Sequence, residues 1–279
     1  MANRKGNGRQ RQLGRRLRRM REDAGLTIDA AAEKLEFSAS KLGRIETAEQ
    51  GVDVHVVRSM LDLYDVGGDR WTETLQLVRD AKEKPWYAKY LKVGDYGYVV
   101  YEADADQVQA WAPNYVPGLL QTPDYARALF AAFSHDAERT ADMVEIRQRR
   151  QRRLTDELDR VDLVAITTEA VLRETFGDPS MKRAQLAHLI DAAQLPTVTL
   201  QVLPTGTAAH ASIASGFTVL SFGALGEPDL AYVEHALGAV FLEGEDDVRL
   251  ARNQFDRLRT LALTPAASLA LLREIAAAL

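Results

Sequence analysis

The sequence contains no cysteine. That absence excludes disulfides, cysteine-ligated zinc, iron–sulfur clusters and thiol catalysis. Long apolar runs are missing too: nothing approaches the ~20 uninterrupted apolar residues that a membrane helix needs. No apolar stretch follows the basic N-terminus, so a secretory signal is not supported. A reducing, cytoplasmic setting without a membrane partner is therefore expected. His55, His135, His188, His210 and His235 show no metal spacing. VLPTG lacks the lysine of a phosphate loop, and no nucleophile–base signature is present. The expectation is no metal, no cofactor and no enzymatic activity.

Acidic residues are absent up to Arg21, a stretch that carries nine Arg or Lys. Through Arg70 there are 14 basic and 11 acidic residues, a net of +3, which leaves −8 for the remainder of a chain whose formal charge is −5. A basic head on an acidic body suits a separate DNA-binding module, because attraction to phosphate acts over roughly 10 Å in salt. Taken alone, a basic tail could equally be only solubilising.

Hydrophobic periodicity organises this head. Residues 1–8 read as a flexible basic arm. Leu13, Leu17 and Met20 then recur at helical spacing, with arginines on the remaining faces. Gly25 stops that helix. Thr27 caps a second helix, Ile28 to Leu35, with small Ala30, Ala31 and Ala32 along it. Ser38 caps a third, through about Thr47, and a fourth covers Val54 to Tyr64. These define a domain over 9–68. A connector helix over 69–85 should end at Pro85. The aromatic stretch Trp86, Tyr87, Tyr90, Tyr96, Tyr98 and Tyr101 should pack rather than form a loose linker.

Beyond it, helices are expected at Asp124–Phe133, Ala137–Leu158, Ser180–Ala193, Asp246–Ala262 and Ala266–Ala278. Strand-like runs cover Val161–Thr167, Thr197–Leu203, Phe217–Phe222, Ala231–His235 and Ala239–Leu242. The fold class is thus mainly α, with a helical N-terminal domain and an α+β domain over 86–279.

Two short helices joined at Glu36-Phe37 form a helix-turn-helix unit. In that arrangement the first helix crosses the backbone and the second enters the major groove. In the second, SASKLGRIET, Leu42 and Ile45 face inward, leaving Ala39, Ser40, Lys41 and Arg44 outward. Lys41 and Arg44 are residue types that pair with guanine, Ser40 is versatile, and Ala39 offers a methyl to thymine. Thr27, Ser38 and Arg16 are candidates to hold phosphate. Helices that merely pack a bundle are the plainer alternative. Cap, turn, inward pair and basic face together favour DNA binding.

The segment LGRRLRRMREDAGLTIDAAAEKLEFSASKLGRIETAEQGVDVHVVRSMLDLY resembles the phage-repressor (XRE, Cro/C1-type) helix-turn-helix family, of lambda-repressor-like fold. Its landmarks are Leu17, Arg21, the Gly25-Leu26-Thr27 turn, Ala31, the Ser38 cap and the SKLGRIET run. Two positions depart from the family. Ile28 stands where a Gln is usual, which weakens a Gln clamp on phosphate. Thr47-Ala48 replaces a common T-G, which suggests a slightly different loop. Downstream, VPGLLQTPDYARALF, RQRRQRRL, EAVLRETFG, VTLQVLPTG, FTVLSF and LAYVEH resemble the C-terminal domain of actinobacterial WhiJ-type and antitoxin-like regulators. The resemblance implies a homodimeric transcription regulator whose C-terminal domain binds a small partner protein or an effector. Its alternative is an antitoxin-like module that neutralises or chaperones such a partner, with DNA binding serving autoregulation.

Other features read as structural. Arg147, Arg149, Arg150, Arg152 and Arg153 could bind phosphate, but a solvated helix with pairs such as Glu145–Arg149 and Arg153–Glu157 is preferred. PGLLQTPDY should be a Pro-pinned turn with Thr122 capping the helix at Pro123 rather than a functional pocket. Asp178 and Ser180 should serve as caps.

Overall fold

The computed structural model describes residues 8–82, 86–90, 97–133, 136–157, 159–174, 177–207, 215–223, 226–235 and 238–279. Most of the basic arm, Pro85, Tyr96, Leu158, His135 and His210 lie outside the described residues. The chain divides into two compact units, Met1–Lys89 with Ala224–Glu227, and the remainder.

The first unit contains α1 (Gly8–Asp23), α2 (Ile28–Lys34), α3 (Ala39–Glu46), α4 (Val54–Leu63) and α5 (Gly68–Ala81). The helical spacing of apolar residues becomes a single core of Leu13, Leu17, Met20, Ala31, Leu42, Ile45, Val57, Met60 and Leu61. Side-chain oxygens of Thr27, Ser38 and Asp53 each accept a first-turn N–H and so start α2, α3 and α4. The helix read from sequence as a connector is part of this unit. Its Leu75, Val78 and Ala81 are buried in the same core, and it packs on α1 and α4. A polar-looking helix is thus recruited by a narrow apolar stripe.

The second unit is built on a six-stranded mixed sheet of order β3-β2-β1-β4-β5-β6. Its strands are β1 (Gln107–Ala112), β2 (Asp162–Thr168), β3 (Val198–Leu203), β4 (Phe217–Phe222), β5 (Glu227–His235) and β6 (Gly238–Leu242). β1, β2 and β3 run parallel, with Val108 opposite Leu163 and Leu163 opposite Val198. β4 returns antiparallel along β1, and β6 antiparallel along β5. Five of these runs were expected from sequence. β1, a central strand, was not: QVQAWA has two glutamines and two alanines, and its burial comes from neighbours distant in the chain.

Helices α6 (Gly97–Asp104), α7 (Pro123–Phe133), α8 (Ala137–Gln151), α9 (Glu169–Arg173), α10 (Pro179–Ala192), α11 (Glu245–Leu261) and α12 (Pro265–Ala277) complete it. Phe255 and Leu258 of α11 pack on Trp111, Ile166 and Leu203 of the sheet. α8 ends earlier than expected, turning through a 3-10 segment at Arg152–Leu154. Thr122 does cap α7, and Asp178 caps α10 by accepting from Ser180 and Met181, while Ser180 lies within that helix. The aromatic stretch packs as expected where it is described: Tyr87, Tyr90 and Tyr101 are buried, and Tyr98 lies 4.6 Å from the Tyr232 ring. Among the described residues no single helix is long and apolar enough to cross a membrane. α11 and α12 reach that length only jointly, across a 63° bend, with Phe255, Leu258, Leu272 and Ile275 buried in the core.

Candidate nucleic-acid interface

Local hydrogen bonding shapes the α2–α3 unit. The Thr27 hydroxyl oxygen accepts from the Ala30 N–H at 3.2 Å, and that of Ser38 from Lys41 at 3.1 Å. Between them α2 closes with a left-handed residue, Glu36 at φ 56°. The Phe37 N–H then reaches back to the Ala32 carbonyl and the Glu36 N–H to Glu33. This pair of bonds satisfies carbonyls that the helix end leaves open. The same closure recurs after α1 at Gly25, after α3 at Ala48 and after α4 at Asp65, where φ is 69°, 58° and 54°. Ala48 thus adopts directly the left-handed conformation that more often falls to glycine.

α3 is locked against α1 on its inner side. Glu46 receives both prongs of Arg21, Nε to Oε1 at 2.7 Å and Nη2 to Oε2 at 3.0 Å, while Nη1 of Arg21 donates to the Leu26 carbonyl. Hydrogen bonding to Glu46 raises the Arg21 guanidinium against the lowering effect of burial. Nearby, burial and the Glu46 charge push the Tyr64 hydroxyl up to about 12. Gly14 sets the spacing of the helices: a Cβ there would lie 2.5 Å from the Glu46 carbonyl oxygen and 2.9 Å from that of Ile45.

On the outer side, Ser40 and Arg44 are exposed. Arg44 donates from Nη1 to the Ser40 hydroxyl at 3.2 Å and from Nε to the Gln50 amide oxygen at 3.3 Å. Gln50 was missed by sequence reasoning. It lies beyond the helix, and the left-handed turn at Ala48 folds it back so that its N–H bonds the Arg44 carbonyl. Lys41 sits 3.6 Å above the Phe37 ring, and Ala39 is half-buried against the core. Ile28, at the start of α2, is half-buried against the core, with its Cδ1 beside Gly43 of α3.

Arg16 is placed differently from the rest: its Nη2 pairs with Glu73 of α5 at 3.1 Å. Arg18 pairs with Glu22 at 2.9 Å. Such exposed pairs contribute about 0–1 kcal/mol, so a phosphate can exchange with either carboxylate. Arg21, by contrast, is wholly committed to the fold. The cluster Ser40, Arg44 and Gln50 with capping Thr27 and Ser38 presents donors, acceptors and positive charge of the kind that read base edges and grip phosphate.

The second basic run corrects a sequence expectation. Arg150 and Arg153 are buried, not solvated. Arg150 forms a two-pronged pair with Glu102, Nε to Oε1 at 2.5 Å. Arg153 donates to the carbonyls of Glu102 and Ala105 and to Asp159 rather than to Glu157. Burial alone would raise the Glu102 carboxyl. The Arg150 charge and hydrogen bonds outweigh that and hold it below the usual carboxylate range.

A helix-turn-helix domain, the fold carried by DNA-binding regulators, is thus the class to which the first unit belongs: residues 12–73 match the family model described as Helix-turn-helix domain. Residues 97–274, more than half of the chain, match the family described as Domain of unknown function (DUF5753), and the chain belongs to that family. No curated protein and no solved structure matches the chain at a significant level.

Proposed function

We propose that the protein is a sequence-specific transcription regulator of the XRE type, acting in the cytoplasm as a homodimer and not as an enzyme. The observation that carries this reading is the cluster of exposed Ser40 and Arg44 on α3 with Gln50 folded back from beyond its end, the opposite side of the helix being fastened to α1 through Arg21 and Glu46. α3 lies in the major groove, with Ala39, Ser40, Lys41 and Arg44 toward base edges. Thr27, Ser38 and Arg16 hold phosphates, Arg16 by exchanging Glu73 for the nucleic acid. A dimer places two such helices about 34 Å apart on a pseudo-palindromic site. The resemblance of the second unit to WhiJ-type regulators supports a small partner protein or effector there, whose unequal affinity for two states would switch the regulator.

The test is binding to DNA from the protein's own promoter region, against random duplex, across a salt series. Selectivity of roughly a thousandfold or more is expected. Salt-sensitive binding without selectivity would overturn the assignment of base readout to α3 in the free protein.

A further inference from the structure

The two terminal strands of the sheet are finished differently. β3 is closed on its outer side. The Val198 N–H donates to the Leu195 carbonyl at 3.1 Å and the Val202 N–H to the Ser268 hydroxyl at 3.0 Å, while the Val202 carbonyl accepts from the Leu263 N–H at 2.9 Å. β6 has no such cover. Beyond its pairing with β5, no hydrogen bond to Gly238–Leu242 is found among the described residues. Every second residue of such an edge turns its backbone N–H and carbonyl out of the sheet. Folded proteins commonly guard an edge of this kind with lysine, proline or a covering loop. GAVFL has neither charge nor proline, and Gly238, Ala239 and Val240 are exposed, Val240 by 44%.

The side chains at this edge are apolar on both faces. Phe241 stacks on Tyr101 of α6 with centroids 4.7 Å apart and leans on Tyr232 of β5 at 5.0 Å. On the opposite face Leu242 packs with Val248 and Ala251 of α11. Val240, two residues back along the strand, shares that face. Phe241 and Leu242 are only half-buried by their own chain.

The order of sizes along the strand indicates the partner. A second β6 laid antiparallel about a two-fold axis at Val240 sets Val240 against Val240, Ala239 against Phe241 and Gly238 against Leu242. Each of the two largest side chains then meets a small residue, and no charge meets a like charge. Gly238 has room for a neighbour: no atom lies within 4 Å of where its Cβ would stand. Because β3 is closed, head-to-tail addition of one sheet to the next is blocked, and the pairing stops at two copies.

We infer that β6 is a self-complementary edge through which two copies of this chain pair, joining their six-stranded sheets into one continuous sheet. The inference rests on the homodimer of the reading above and gives it a surface. DNA binding by the first unit plays no part in it.

Sedimentation of the full chain over a concentration series, joined to cross-linking, tests this. The parent should reach twice the chain mass. Val240→Lys sets two charges face to face at the axis and should raise the dimer dissociation constant by about tenfold or more. Leu261→Lys is the control: Leu261 is similarly exposed, at 41%, but lies two residues from Leu263, which closes β3, and its replacement should leave the dimer intact. The chain has no cysteine, so Val240→Cys carries the only thiol. Mild oxidation should join two Val240→Cys chains readily. It should join two Ala239→Cys chains far more slowly, because their Cβ atoms stand diagonally, about 7–8 Å apart, beyond disulfide reach. A dimer that survives Val240→Lys, or oxidation no faster at 240 than at 239, overturns this surface and leaves homodimerisation in place. A monomeric parent overturns both, and the base readout of α3 keeps its own test.

Discussion

Arg21 of α1 and Glu46 of α3 meet in a two-pronged ion pair in which both side chains are almost fully buried, 8% and 4% exposed. A buried pair of this kind adds little net stability over an apolar pair, but breaking it leaves one charge stranded. Glu46→Ala should therefore lower the stability of the helical unit by about 3–5 kcal/mol. Replacing both, as Arg21→Met with Glu46→Leu, should lose less than Glu46→Ala alone. Chemical denaturation of the three proteins checks the order.

Close approach of α1 and α3 makes Gly14 hard to replace. Alanine would gain about 1 kcal/mol of helix propensity, but its Cβ would collide with two carbonyl oxygens that cannot rotate away. Gly14→Ala should come out destabilising by about 1–3 kcal/mol, the usual range for overpacking. An unchanged or raised melting temperature would show that the helices separate freely.

Glu36 offers the opposite sign. It is exposed and holds φ at 56°, a conformation that costs an L-residue roughly 1–2 kcal/mol. Glu36→Gly relieves that strain and loses some chain entropy, so a net gain of about 0.5–1 kcal/mol is expected. Denaturation midpoints measure it, with DNA affinity as a control for the integrity of α3.

For recognition, Arg44→Ala should reduce binding to the operator by about 1–3 kcal/mol and relax the preference at one base pair. Equal weakening on every sequence would reassign Arg44 to phosphate. Gln50→Ala should have a smaller effect of the same kind, because it removes only a partner that orients Arg44.

His188 on α10 gives the second unit a pH dependence. Burial lowers its imidazole below the ordinary value, against Asp191, which raises it. The unfolded chain then binds the proton first. The folded form loses stability as pH falls below about 6.5, the unperturbed histidine value, toward the lowered folded one. Melting temperatures between pH 7.5 and 5 should fall more for the parent than for His188→Gln. Parallel curves would place the titration elsewhere.

The helical unit was legible because its signals are local. Caps at Thr27 and Ser38, the stop at Gly25 and the apolar stripes all lie within a few residues of what they control. Long-range features were not. The charge run around Arg150 looks solvated until Glu102, 48 residues away, is brought to it. β1 reads as polar until strands from both sides enclose it. Gly14 looks like a weak spot in a helix until the carbonyls of α3 arrive against it. At the candidate interface, α3 was legible as a helix from its own sequence, whereas Gln50 needed the turn at Ala48, and the Glu73 partner of Arg16 needed the packing of α5.

The sheet order has a consequence for synthesis. Val108 in β1 must wait for Leu163, 55 residues later, and for Leu220, 112 residues later, before both flanks are covered. At about 5–20 residues per second the second wait lasts roughly 6–20 s. The apolar core of α1–α5 draws on residues no later than Ala81 and can close long before. For that interval the growing chain carries a closed helical core and an unfinished sheet, with Trp111 lacking its cover from α11. Translation arrested in this window would release a DNA-binding fragment without its second half, and exposed strand edges make that fragment a client for chaperones.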